Sequence, residues 1–216
     1  MSIPDVRIAR HYNSDECDVL AEFYQPLLRH AIRYDRAVGY FSSSALRACA
    51  RELGGFLNRD GRIRLVVGCL VSKADAQALS PDSLSQEEQE LIREQLRKEL
   101  NDLKVMDMPA AILFSQLVAS GVIELKFAVR SAGIYHEKFG VFTDAYANKV
   151  AFIGSTNETE SALAAGKNHE SFSVFQSVDA AIYEAYGQPL ERRFADLWGG
   201  RTKQTRRSNE EARAAA

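Results

Sequence analysis

His136 and Lys138 lie two residues apart in the run Tyr135-His-Glu-Lys-Phe-Gly-Val-Phe-Thr-Asp144, whose alternation predicts a strand. On a strand, side chains two apart share a face, so this imidazole and ammonium project together while Phe139 and Val141 point the other way. The chain bends from Asp144 to Asn148 and returns as a second apolar strand, Lys149 to Gly154. Just beyond it, Ser155 and Asn157 repeat the two-residue spacing and offer a hydroxyl and a carboxamide. An imidazole can attack or carry a proton, and ammonium, hydroxyl and amide donors suit an anionic phosphoryl group. With no cysteine or acidic cluster beside them, the set reads as a phosphodiester site that calls for no metal and no cofactor.

The strings HEK (136–138) and GSTN (154–157), in this order on a hairpin, resemble the HxK and GSxN halves of the phospholipase D superfamily signature. The runs HEKFGVF, VAFIGSTNET and NHESFSVF are most similar to the nuclease branch found in restriction enzymes and at the N-terminus of restriction-associated helicases. That resemblance implies a mechanism. One histidine attacks phosphorus to give a phosphohistidine, and a second protonates the leaving oxygen. Matched residue by residue, His136 becomes nucleophile or acid, Lys138 and Asn157 the phosphate clamp, and Ser155 a supporting hydrogen-bonder. Glu170 stands where the superfamily carries a glutamate that holds a histidine. The family pattern HxKxxxxD places its largely structural aspartate at Thr143, so Asp144 comes one residue late.

In-line displacement needs a nucleophile on one side of phosphorus and an acid on the other, and one imidazole cannot stand in both places. The sequence holds no second HxK. The expectation is therefore a homodimer whose two-fold axis runs through one shared site, with His136 of each copy in one of the roles. DNA is the expected substrate, in restriction or anti-phage defence, with a helicase or ATPase as partner or fused domain. Two rival readings are phospholipid cleavage and a catalytically idle DNA-binding or dimerisation module. The first has no amphipathic basic helix behind it, and the second gives no chemical need for His136.

The elements that must present these residues follow in chain order. A helix capped at Asn13 or Ser14 is expected to run to about Ile32, with Arg29, His30, Arg33 and Arg36 clustered at its end. A strand from Arg36 to Phe41 and a helix from Ser42–Ser44 to about Asn58 come next, then a buried strand from Arg62 to Val71. Two or three helices reach Ser120, including an acidic stretch from Glu87 to Glu99, before a strand from Val122 to Val129. The hairpin is followed by a short helix (Glu158 to Ala165), a strand (Ser171 to Phe175) and a helix (Asp179 to Trp198). Alternating strands and helices with one hairpin predict an α/β sandwich, a mixed β-sheet flanked by helices on both faces. The phospholipase D-like fold that the resemblance implies is of this type.

The 216 residues, 46% hydrophobic and 26% charged, suit one sizeable soluble domain. That domain is expected over residues 1–200, with 201–216 as a charged tail or linker holding no core-forming residue. A net charge of -2 advertises no global nucleic-acid field, so any DNA-contacting face is local. The N-terminus lacks the apolar core of a signal peptide and no apolar run reaches membrane-spanning length, which predicts a cytoplasmic protein with no membrane partner. Cys17, Cys49 and Cys69 are scattered among apolar residues and read as reduced thiols.

Overall fold

A computed structural model describes residues 2–41, 44–68, 108–130, 135–157, 168–202 and 205–208. Among them, strands β1 (His11–Asn13), β2 (Ala31–Val38), β3 (Arg62–Gly68), β4 (Ile123–Arg130), β5 (Phe139–Asp144), β6 (Lys149–Gly154), β7 (Ser171–Gln176) and β8 (Thr205–Ser208) form one sheet. Their order is β1-β7-β6-β5-β2-β3-β4-β8. β2, β3 and β4 are parallel neighbours and the remaining pairings are antiparallel. Parallel neighbours need crossovers, and helices supply them. α2 (Ser44–Ala48) and α3 (Ala50–Leu57) lie between β2 and β3, and α4 (Met108–Ala119) precedes β4.

Strand alternation divides the apolar residues between the two faces of the sheet. On one face Tyr34, Val38, Phe142, Phe152 and Phe172 pack with Phe23, Tyr24 and Leu27 of helix α1 (residues 20–28) and with Leu53 and Phe56 of α3. Phe23 sits in the middle of an aromatic cluster, its ring centroid 5.0 Å from Phe152 and 4.8 Å from Phe172. On the other face Ala37, Val66 and Phe139 meet Phe194 and Leu197 of the C-terminal helix α5 (residues 180–199), while Val141 and Ala151 meet Tyr183. Each fully buried aromatic ring contributes about 1.5–3 kcal/mol. Every residue of β5 is buried, because the strand is covered on both faces. The α/β sandwich expected from the sequence is thus the fold.

Three expectations change. The first helix ends at Leu28 rather than near Ile32, because Ala31–Val38 pairs with both β3 and β5 and sheet pairing overrides local helical preference. Arg33 and Arg36 consequently stand in β2, and Arg36 is wholly buried instead of ending a helix. Within the stretch read as a charged tail, Thr205–Ser208 pair antiparallel with β4 as an edge strand. The expected helices over 87–99 and 158–165, with Ser42, Ser43 and Cys69, lie outside the described residues.

Candidate active site

The C-terminal ends of β2, β3 and β6 meet the start of β5 and of β7 at one margin of the sheet. In open α/β sheets, the crevice beyond the carboxyl ends of parallel strands is where ligands bind. The strand expected from Tyr135 begins only at Phe139, so His136 and Lys138 enter the crevice from the segment just ahead of β5, and this segment lies directly against Gly39. A Cβ on Gly39 would come within 3.3 Å of both His136 Cδ2 and the Tyr135 carbonyl oxygen, so a side chain there would press on this segment. Glu137 is held from α5. Arg193 grips its carboxylate through Nη2 at 2.8 Å and Nε at 3.1 and 3.2 Å, a bidentate clamp on the residue between the two candidates.

His136 is exposed, whereas Lys138 retains only 7% of its accessible surface. The Lys138 ammonium donates to the His136 carbonyl oxygen at 3.1 Å and lies 3.2 and 3.1 Å from the ring nitrogens Nδ1 and Nε2. Being equidistant from both, it lies across the imidazole rather than in line with one lone pair. Burial pushes the Lys138 pKa down, the Glu170 charge opposes that, and the buried Arg36 guanidinium adds to it.

The chain after β6 brings in the other donors. Ser155 Oγ donates to the Glu170 carboxylate and accepts from the Ser171 backbone N–H at 3.0 Å, which fixes the hydroxyl. Glu170 grips Ser155 rather than His136. Its backbone is bonded in both directions to Ser14, N to Oγ at 2.8 Å and O from N at 2.9 Å. Asn157 Oδ1 accepts the Tyr40 backbone N–H at 3.1 Å, which leaves the amide nitrogen as the group turned to donate. All five residues singled out from the sequence therefore stand on segments that converge at this margin.

Asp144 is at the opposite end of β5, about 17 Å away along the strand. Its carboxylate accepts from the backbone N–H groups of Ile3, Tyr146 and Asn148, each at 2.9 Å, and from the Asn148 amide. It organises the hairpin turn and takes no part in the site. Gly39, Tyr40, Arg36 and the Glu137–Arg193 pair shape the site without having been assigned to it beforehand. Among the described residues no group of three or more His, Cys, Asp or Glu side chains is arranged to hold a metal ion.

Residues 32–198 match the family described as cardiolipin synthase, phospholipase D-like domain. The chain belongs to the phospholipase D-like family. Among curated proteins none matches it. Similar solved structures include phosphatidylserine synthase of Haemophilus influenzae, at 12% identity and TM-score 0.49, with 88% of this chain and 37% of that one covered. NucT of Helicobacter pylori is 12% identical at TM-score 0.42, covering 84% and 94%. Nuc of Salmonella typhimurium, described as a phospholipase D family member, is 15% identical at TM-score 0.46, covering 93% and 97%. The chain thus spans little more than a third of the length of the synthase. Among the described residues no helix is long and apolar enough to cross a membrane.

Proposed function

We propose that this phospholipase D-like chain is a phosphodiesterase that cleaves DNA, working as a homodimer with one shared site, in restriction or defence against foreign DNA. The supporting observation is the convergence of His136, Lys138, Ser155 and Asn157, with Glu170 behind them, on one margin of the sheet. His136 of one copy attacks phosphorus, forming an N–P bond as the P–O bond to the leaving strand breaks. The same histidine of the second copy gives its proton to the departing oxygen. That second imidazole then takes a proton from water, whose oxygen attacks phosphorus and displaces the first. Lys138 and the Asn157 amide bind the phosphoryl oxygens, where negative charge accumulates. Ser155, held by Glu170, keeps the corner in register.

A restriction-helicase partner, as a separate chain or fused domain, belongs to this proposal through the likeness of the HEK, GSTN and NHES runs to that branch. The exposed imidazole beside a buried ammonium is the feature an idle binding module has no use for.

The test is cleavage of plasmid and single-stranded DNA, and of phospholipid vesicles, by the wild-type protein and His136→Ala in excess EDTA. Cleavage of DNA by the wild type, lowered at least about a thousandfold in the variant, is the expected result. Turnover of phospholipid alone would overturn the DNA assignment. Binding of DNA without cleavage by either protein would leave the idle module.

A further inference from the structure

Arg36 lies on the floor of the site with none of its surface exposed. The register explains how it gets there. Arg36 of β2 is opposite Gly140 of β5, which is opposite Phe152 of β6. With no side chain on Gly140, the arginine stem crosses above β5. A Cβ on Gly140 would come within 2.6 Å of the Phe152 ring and 3.2 Å of Arg36 Cδ. The guanidinium carbon then lies 4.9 Å from the Phe152 ring centroid, and Nη2 donates to the Thr156 carbonyl oxygen.

Thr156 is the residue between Ser155 and Asn157. We infer that Arg36 is a positioning residue of the proposed phosphodiester site, anchoring through the Thr156 carbonyl the Gly154–Asn157 corner that carries the Ser155 hydroxyl and the Asn157 amide. The inference rests on the phosphodiesterase reading for its consequence, and on the geometry alone for its anchoring. A sealed cation is a costly way to fill space, since hydrophobic side chains in place of buried ions are often neutral or stabilising. A methionine could span the same corridor over Gly140, but it could not donate to Thr156. The position also keeps a permanent positive charge in the neighbourhood of Lys138, consistent with the depression of the lysine's pKa.

The experiment compares wild type, Arg36→Met and Arg36→Lys by steady-state cleavage of DNA and by amide hydrogen exchange. Arg36→Met is expected to lose about a hundredfold in kcat with little change in KM, since misplaced donors fail in the transition state. Arg36→Lys, which still donates, recovers part of that loss. In both variants the amides of residues 155–157 and of Tyr40 exchange faster while β2 and β5 keep their protection. An unchanged kcat in Arg36→Met would overturn the inference, as would exchange accelerated evenly along β2, β5 and β6. If the methionine variant does not fold, the lysine variant carries both readouts. If the wild type cleaves nothing, the phosphodiesterase reading falls, and faster exchange confined to residues 155–157 and Tyr40 still decides the anchoring.

Discussion

Lys138 is the residue in which position and chemistry are most tightly coupled. A clamp for a phosphoryl anion must be protonated, yet burial favours the neutral amine, and Arg36 presses in the same direction against Glu170. Its native pKa therefore lies below the ordinary lysine value, and activity is lost as pH rises through it. The bound phosphodiester is an added negative charge, which returns the ammonium towards its usual range. The expected signature is an alkaline limb of kcat/KM, reporting free enzyme, at lower pH than the limb of kcat, which reports the complex. Lys138→Met removes that limb and lowers kcat/KM by about a hundred- to a thousandfold. Coincident limbs in the wild type would show that a different group sets them. Linkage has its own sign here. Between the depressed native value and the unfolded lysine range the unfolded chain binds more protons, so stability rises with pH across that window. His136 with Lys138 and Ser155 with Asn157 could be singled out from the sequence because each pair lies two residues apart, whereas Glu170 was singled out only through the resemblance to the family signature. Arg36, Tyr40 and Arg193 were not, because they reach the site only through tertiary pairing with segments far away in the chain.

At the scale of elements, the β5–β6 hairpin is pinned at both ends by different means. At the site end, the Glu137–Arg193 clamp and the Asn157–Tyr40 bond tie it to α5 and to the end of β2. At the turn end, Asp144 does the work, although it comes one residue later than the family pattern places an aspartate. Burial opposes its ionisation, but the donors of Asn148, Ile3 and Tyr146 together outweigh this and hold its pKa below the ordinary carboxylate value. Asp144→Ala leaves the Ile3 amide without its acceptor and frees the N-terminal segment. The expected cost is about 2–3 kcal/mol, read as a fall of about 5–10 °C in Tm. The kcat of the folded fraction should be unchanged, and a specific loss of kcat would move Asp144 into the site. The contribution is full above about pH 4 and is lost as pH falls through the depressed native value, so wild type and variant converge in acid. The hairpin could be read in advance because its partners are neighbours in sequence. The start of β2 was misjudged, with the helix carried to about Ile32 and the strand begun only at Arg36, because its antiparallel partner β5 is remote in sequence and local periodicity carries no trace of that pairing. The edge strand Thr205–Ser208 escaped for a related reason. It joins β4 through backbone bonds, for which composition gives no signal.

At the scale of the molecule, one candidate catalytic imidazole per chain, His136, and a reaction that uses two set the stoichiometry of the proposed site. The sheet margin that carries His136 presents an exposed histidine beside donors fixed from behind, an arrangement that a second copy related by a two-fold axis would complete. Mixing wild type with His136→Ala under conditions that exchange subunits separates the possibilities. If each copy worked alone, activity would follow the wild-type fraction, and an equal mixture would keep about half. If two histidines serve one phosphate, the mixed dimer lacks one of the two roles and activity follows the square of that fraction. An equal mixture then keeps about a quarter, the share of wild-type pairs in a random assortment. Sedimentation of the same mixtures checks that dimers persist, so a lower activity cannot be ascribed to dissociation. A linear dependence in a persistent dimer would mean that the acid is supplied within each chain, and the shared-site mechanism would fall. A quadratic dependence would also explain why this fold places a buried ammonium and a fixed amide around a single histidine. The cradle of each chain is then half of a larger one, and the second half brings the proton.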